Sequence, residues 1–189
     1  ATTWRHGASP LLRRLQDAGA IEVLGGPATH PFLPLLDERL RTFALDVGLD
    51  DARQRLGRRP AGIWSPECGW APGLERTLAG SDVRHLLVDE ATLLPTGATT
   101  SRPWTAAGSD VVVLARDLAV TNLVWSSRTG YPAGSHYRDF HTFDHPSGFR
   151  PFRVTGADAA AHAKEPYEPM RAAAAVAGDA LRFVTSVRR

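Results

Sequence analysis

The chain has 189 residues, of which 43% are hydrophobic and 22% are charged, and its formal net charge is +2. This composition is typical of a soluble globular domain or of part of a larger one. The basic residues are scattered among acidic ones and form no stripe, which disfavours nucleic acid as a partner. No apolar run approaches the length of a membrane span, so we also expect no membrane partner.

The predicted elements alternate between helix and strand. In chain order, the sequence predicts a helix from Ser9, a strand at 21–24, helical spacing from 34 to 58, a strand at 63–65, a helix at 72–78, a strand at 85–89, a strand at 111–114 and a helix at 170–187. Residues 91–108 and 126–156 are rich in Gly and Pro and predict long loops. This alternation favours an α/β fold with parallel strands, in a sheet or a barrel.

Four segments place polar residues directly after a predicted strand. They are Thr29-His30, Glu67, Asp89-Glu90 and Arg116-Asp117. Active sites of α/β folds gather at the carboxyl ends of the strands. The recurrence therefore predicts an active site in this chain. Arg116 and Asp117 either clamp hydroxyl groups of a ligand or form an ion pair that orders a loop, and both interpretations stay open.

Glu67 follows the short strand at 63–65 and lies between Trp64 and Trp70. Glycosidases place a carboxylate beside the anomeric carbon, and flat amphipathic indoles suit pyranose rings. Pro66 and Gly69 bracket the acid and predict an unusual turn. We therefore predict that Glu67 is catalytic and that the two indoles bind substrate. The alternative, a surface Glu with both indoles in the core, stays open on these residues alone.

Cys68 is the single cysteine of the chain. A disulfide within the chain and a cysteine-rich zinc site are therefore excluded. A single cysteine suits a reducing compartment, and we expect a cytoplasmic location. No histidine neighbours Cys68 in the sequence, so we interpret it as a buried small residue and not as a thiol nucleophile.

A group of His136, His141 and His145 with Asp139 and Asp144 suggests a metal site at first sight. These residues lie in a predicted loop and lack the two-histidine spacing of a helical metal site. We therefore favour solvated or structural roles and predict no metal and no cofactor.

Three blocks of the sequence resemble glycoside hydrolase family 57. Residues 64–70 resemble its nucleophile motif, and residues 28–36 resemble a second motif in the form carried by its 1,4-α-glucan branching enzymes. Residues 124–132, followed by 137–140, resemble a segment those branching enzymes carry after the middle of the barrel. The likeness keeps its order and spacing from about residue 21 to residue 140.

The resemblance implies a portion of an incomplete (β/α)7 barrel with parallel strands and long loops, here residues 1–189. It also implies a retaining enzyme acting on an α-1,4-glucan, with Glu67 as the nucleophile. By the same resemblance, His30 lines the donor subsite, Trp125 stacks on a glucose and Tyr131 borders the acceptor path. Arg116 and Asp117 join the expected substrate-binding residues.

Two motifs of that family have no counterpart here. The general-acid Asp motif is not found, because Asp158 and Asp179 lie in Ala-rich sequence without its aromatic context. The opening His motif is also not found, and His6 has no matching surroundings. We therefore expect that this part of the barrel is inactive alone, because without the general-acid Asp the leaving group is not protonated. We also expect self-association through exposed barrel edges.

Alternatives remain within and beyond this class. Residues 28–36 and 124–132 favour a branching enzyme over a 4-α-glucanotransferase or an α-amylase of the same family. A non-catalytic glucan-binding protein is the rival from another class, and the missing acid supports it. A metal-dependent deacetylase-type barrel is a weaker rival, because it requires His and Asp ligands in matched motifs.

Overall fold

The computed structural model describes residues 9–156 and 159–187 and divides into two compact units, residues 1–117 and residues 118–189. His6 and Asp158, both considered above, lie outside the described residues. Across the described ranges, no helix combines the length and the apolar character needed to cross a bilayer.

The first unit contains three helices: α1 at Ser9–Asp17, α2 at Glu38–Leu56 and α3 at Leu74–Gly80. The Asp37 side chain begins α2 by accepting a hydrogen bond from the Leu40 amide. Gly57 ends α2 in the left-handed region, at φ 87°. The predicted helices are confirmed, with boundaries shifted by a few residues.

The first unit also contains a four-stranded sheet. Its strands are β1 at Gly62–Trp64, β2 at His85–Asp89, β3 at Trp104–Thr105 and β4 at Val112–Arg116. The spatial order is β1-β2-β4-β3, with β1, β2 and β4 parallel and β3 antiparallel at the edge. A mostly parallel sheet with helical connections confirms the predicted α/β class.

One core fills the space between α2, α3 and the sheet. Leu45 and Leu49 of α2 are fully buried, as are Ile63 of β1 and Leu86 and Val88 of β2. Alternate residues of β2 are buried, because successive side chains of a strand point to opposite faces.

One expectation about the first unit is wrong in detail. The strand predicted at 21–24 is absent, and only a single parallel bridge joins Gly25 to Ile63. A Cβ on Gly25 would lie 2.7 Å from Leu49 Cδ2, so α2 approaches the backbone too closely for a larger residue. The helical spacing expected in this segment is confirmed by α2, which leaves Leu40 and Phe43 exposed and buries Leu45 and Leu49.

The second unit contains α4 at Leu118–Trp125 and α5 at Pro169–Val187. The predicted C-terminal helix is confirmed. Helix α4 was not predicted, because its Val, Thr and Asn residues have weak helix propensity. Between the helices, residues 126–156 are mostly irregular, as expected, with a short 3-10 turn at Tyr131–Ala133.

Candidate active site

The carboxyl ends of the parallel strands form one edge of the sheet in the first unit. β2 ends at Asp89 and β4 ends at Arg116, and these two residues are paired in register. β1 ends at Trp64, and the Glu67 turn follows directly. Three of the four predicted polar segments are therefore brought to this edge, the position where α/β folds place their chemistry.

Glu67 occupies a tight turn whose backbone is left-handed. Glu67 has φ 52° and ψ 24°, and Cys68 has φ 55°. Few non-glycine residues adopt this region, and each costs on the order of 1–3 kcal/mol that surrounding contacts must offset. The turn leaves the Glu67 side chain 77% exposed.

Ser65 is the residue that closes this turn. It is fully buried, and its Oγ donates a hydrogen bond of 2.6 Å to the Gly69 carbonyl oxygen. The Ser65 carbonyl oxygen accepts a second bond from the Cys68 amide at 2.8 Å. Two bonds from one buried residue thus hold the ends of the loop that presents Glu67. Sequence reasoning missed this role, although a small hydroxyl residue before Pro66 is a turn signal.

Gly69 fits the turn because an aromatic ring lies against its Cα. A Cβ added there would lie 2.3 Å from Phe32 Cε2. Phe32 belongs to the neighbouring loop that carries His30. The contact therefore fixes the two loops relative to each other, and only glycine leaves room for it.

His30 lies beside Glu67. Its Nε2 atom is 3.7 Å from Glu67 Oε1, and both side chains are exposed. Thr29 and His30 are also left-handed, with φ 63° and φ 55°. Two loops with strained backbones therefore bring together the two residues that the sequence motifs singled out.

Asp89 and Arg116 form an ion pair at the same edge. Arg116 Nε and Nη2 donate to Asp89 Oδ2 at 2.9 and 2.7 Å, and the Ala91 amide donates to Asp89 Oδ1 at 3.1 Å. The Ala91 amide and the guanidinium lower the pKa of Asp89. The sequence had weighed Arg116 with Asp117. The structure pairs Arg116 with Asp89, and Asp117 follows it as an exposed residue.

The indoles on either side of Glu67 differ in their surroundings. Trp64 is half-buried, and the Arg116 Cζ atom lies 5.9 Å from its ring centre, within cation–π range. Trp70 packs against the core and lines a cavity of about 370 Å³ together with Trp104. The interpretation of both indoles as core residues thus describes Trp70 better than Trp64.

Cys68 is buried, with 6% of its surface exposed. Burial raises the pKa of the thiol, and the nearby Arg116 guanidinium offsets this only in part. A protonated buried thiol is a poor nucleophile, which agrees with the structural role expected from the sequence.

Trp125 and Tyr131 belong to the second unit. Trp125 is the last residue of α4 and is 81% exposed. The Tyr131 hydroxyl donates to the Asp179 carbonyl oxygen at 2.9 Å, so its polar end is held by α5.

The Asp179 carboxylate accepts from Tyr137 and Arg182, which lower its pKa. Such a carboxylate is ionised at neutral pH and has no proton to donate, which agrees with excluding Asp179 as the general acid.

The residues once considered for a metal site have other partners. Asp139 pairs with Lys164, Asp144 accepts from Ser147, and His136 Nδ1 accepts from Arg171 Nε at 3.1 Å. Within the ranges 9–156 and 159–187, no group of three His, Cys, Asp or Glu side chains is arranged to hold an ion.

Comparison with known proteins gives relatives along the whole chain. The sequence model of glycosyl hydrolase family 57 matches residues 1–152. A probable 1,4-alpha-glucan branching enzyme of Mycobacterium tuberculosis is 52% identical over 188 residues, covering 100% of this chain. The chain spans 35% of that relative's length.

Solved structures agree with this assignment. The GH57-type branching enzyme from Pyrococcus horikoshii matches 95% of the chain with 34% identity and a TM-score of 0.85, over 36% of its own length. The alpha-amylase AmyC from Thermotoga maritima matches 97% of the chain with 27% identity and a TM-score of 0.83, over 40% of its own length. These matches confirm the predicted fold class. Because the family model covers most of the sequence, this chain belongs to glycosyl hydrolase family 57.

Proposed function

We propose that this chain supplies the nucleophile, Glu67, of a retaining 1,4-α-glucan branching enzyme. The observation that carries the proposal is the exposed Glu67 carboxylate, held in a left-handed turn beyond β1 with His30 Nε2 3.7 Å away. The names of the relatives support the reaction and an α-1,4-glucan substrate.

In the proposed mechanism, Glu67 attacks the anomeric carbon and forms a glycosyl-enzyme. A second carboxyl group, about 5–5.5 Å away in retaining enzymes, protonates the leaving oxygen and then activates the acceptor. In branching, the acceptor is the 6-hydroxyl of another glucan. His30, Trp64, Trp70, Arg116 and Asp117 bind the donor chain, and Trp125 and Tyr131 contact the glucan on the second unit.

The Asp89–Arg116 pair supports the role of Arg116 in this scheme. Its guanidinium is held by the charge-assisted bonds to Asp89 and remains 40% exposed. A donor fixed in this way loses little conformational freedom when a sugar hydroxyl binds, so it orients the ring at low entropic cost.

Among the described residues we identify no carboxyl group suited to be the general acid. We therefore propose that the 189 residues alone have no branching activity, because the leaving oxygen would not be protonated. We also propose that residues 1–189 are part of a larger catalytic barrel, that the glucan resembles glycogen or starch, and that the enzyme is cytoplasmic. Exposed apolar side chains on α2, such as Phe43, support self-association.

The test is Glu67→Gln in the full-length gene product, with amylose as substrate and new α-1,6 linkages counted by proton NMR. Loss of a nucleophile lowers kcat by about a thousandfold or more. Glu38→Gln, at an exposed position in the first turn of α2, is the matched control and retains activity. Substantial branching activity in the Glu67→Gln variant would show that Glu67 is not the nucleophile.

The same assay separates the alternatives. Longer and shorter linear products without α-1,6 linkages indicate a 4-α-glucanotransferase, and reducing ends alone indicate an α-amylase. Binding of maltooligosaccharides without any turnover by the full-length protein indicates a non-catalytic glucan-binding role.

A further inference from the structure

Lys164 is the single lysine of the chain, although Lys and Arg together number 22. Its side chain is 9% exposed and pairs with the equally buried Asp139 at 2.6 Å. A lysine differs from an arginine in presenting a compact ammonium with three donors on a flexible stem. At this buried position the lysine therefore presents three N–H groups in a geometry that an arginine would not reproduce.

Asp139 is held by three donors. Lys164 Nζ and Thr142 Oγ1 donate to its Oδ2 atom, and the His141 amide donates to its Oδ1 atom at 2.8 Å. Burial alone would raise the pKa of Asp139, but these donors outweigh burial and lower it to about 2. The carboxylate is therefore charged at neutral pH, and it remains an acceptor on a buried wall.

The pair lines a cavity of about 610 Å³ in the second unit. This volume lies in the range of small-molecule sites. The polar lining comprises Ser127, Arg128, Asp139, His141, Thr142, Thr155 and Lys164. Phe140 also lines the cavity and is 67% exposed. The Arg150 Cζ atom lies 4.9 Å from the centre of its ring, so the guanidinium covers one aromatic face and the other face remains for a ligand.

The Lys164 ammonium makes one hydrogen bond within the described ranges and has two further N–H groups. Within the described ranges, Asp139 is its one hydrogen-bond partner, although an ammonium carries three N–H groups. A buried cation needs such groups satisfied, by water or by a ligand. The cavity therefore presents donors from Lys164 beside an acceptor from Asp139.

At the Lys164–Asp139 pair itself, this combination favours a neutral ligand over an anion, and Arg128 is a further cation of the cavity lining. A phosphate group would meet the Asp139 carboxylate on the same wall, and the Lys164 charge is already matched by that carboxylate. A vicinal diol can accept from the ammonium through one hydroxyl and donate to the carboxylate through the next. The flat apolar face of a pyranose suits the Phe140 ring.

We propose that this cavity binds a glucosyl unit of an α-glucan, with neighbouring sugar hydroxyls on Lys164 and Asp139 and the ring against Phe140. The choice of an α-glucan rests on the proposed function. The choice of a neutral polyol rests on the cavity itself.

The single lysine makes a direct test possible. Biosynthetic labelling of the 189-residue chain with lysine carrying 13C at Cε gives one Cε–Hε cross-peak, that of Lys164. We expect this peak to shift saturably when maltose is added and to remain in place with inorganic phosphate. No shift up to roughly 100 mM maltose, a concentration that would occupy most of a site with a millimolar Kd, would overturn the proposal. A shift with phosphate but not with maltose would also overturn it.

Phe140→Ala and Phe43→Ala provide matched variants, because both phenylalanines are 67% exposed and Phe43 lies on α2 of the first unit. We expect Phe140→Ala to weaken maltose binding about fivefold and Phe43→Ala to leave it unchanged. Equal maltose binding by both variants would show that the Phe140 ring does not contact the ligand, and this would overturn the proposed site. Glu67→Gln should leave the titration unchanged, so a failure of the proposed nucleophile and a failure of this site are observed separately.

Discussion

His30 Nε2 and Glu67 Oε1 lie 3.7 Å apart, each carried by a loop whose backbone is in the left-handed region. Both side chains are exposed, so their mutual attraction is screened by water and cannot hold the loops in place. Buried contacts hold the loops in place instead. They are the hydrogen bond from Ser65 to Gly69 and the packing of Phe32 against Gly69. The backbone strain therefore lies in the exposed part of the two loops, and the packing that offsets it involves the buried Ser65 and Gly69.

Glu67→Gly should stabilise the 189-residue chain. Glycine adopts φ 52° without the steric cost that glutamate incurs, and the exposed side chain contributes little packing. We expect the free energy of unfolding to rise by about 0.5–1 kcal/mol, measured by urea denaturation. A lower free energy of unfolding would mean that the turn is not strained.

Asp82→Gly is the control for that experiment, because Asp82 is also left-handed, at φ 59°. Aspartate tolerates this region better than glutamate, so the gain at Asp82 should be smaller than the gain at Glu67. A larger gain at Asp82 would contradict the assignment of special strain to the Glu67 turn.

Gly69→Ala should destabilise the chain through a clash with Phe32. The added Cβ would lie 2.3 Å from the Phe32 ring, so the ring or the loop must move. We expect a loss of about 1–3 kcal/mol in the free energy of unfolding. Combining it with Phe32→Ala should recover part of that loss in a double-mutant cycle, and simple additivity of the two changes would show that the contact does not matter.

The sequence predicted the elements with strong hydrophobic periodicity and the residues with recognisable chemistry. β2 at His85–Asp89 and helix α5 follow from local patterns. The proximity of His30 and Glu67 follows from the rule that strand ends carry the site, together with the resemblance to a family. These inferences needed only short stretches of sequence.

The parts that the sequence could not give depend on contacts between distant segments. The segment at 21–24 has the alternation of a strand, yet only one bridge forms, at Gly25, where α2 also packs against the backbone. The pairing of Arg116 with Asp89 depends on the register of β2 and β4. Local patterns do not encode register between strands that are 27 residues apart.

Ser65→Ala should weaken the turn that carries Glu67. The change leaves the buried Gly69 carbonyl oxygen without its 2.6 Å bond from the Ser65 hydroxyl. A buried acceptor without a partner costs about 1–3 kcal/mol in the free energy of unfolding, which urea denaturation measures. Ser101→Ala, at an exposed position, should change it by less than about 0.5 kcal/mol. Equal effects of the two changes would show that the buried bond is not needed.

Azide should restore turnover to Glu67→Gly in the full-length gene product. A small anion can occupy the space left by the carboxylate and attack the anomeric carbon from the same face. With an α-maltosyl fluoride donor, whose fluoride leaves without protonation, we expect a β-configured maltosyl azide, identified by NMR. An α-configured azide, or no azide product, would contradict the role of Glu67 as the nucleophile.

Acid should destabilise the second unit through Asp139. Its pKa is lowered from 3.8 to about 2 in the folded chain, so protonation favours the unfolded state. The contribution is fully present above about pH 4 and is lost as the pH falls from about 4 through about 2. A shift of this size corresponds to about 2 kcal/mol of unfolding free energy.

Asp139→Asn isolates that contribution, because it leaves no carboxyl group to titrate beside Lys164. At pH 7 we expect a loss of about 3–5 kcal/mol, since the buried ammonium then lacks its counter-charge. Between pH 4 and pH 2 the difference between wild type and variant should shrink by about 2 kcal/mol, measured by urea denaturation at each pH. Asp110→Asn, at an exposed carboxyl group, should leave the wild-type profile unchanged. A difference between wild type and Asp139→Asn that stays constant across this pH range would show that Lys164 does not stabilise the Asp139 carboxylate.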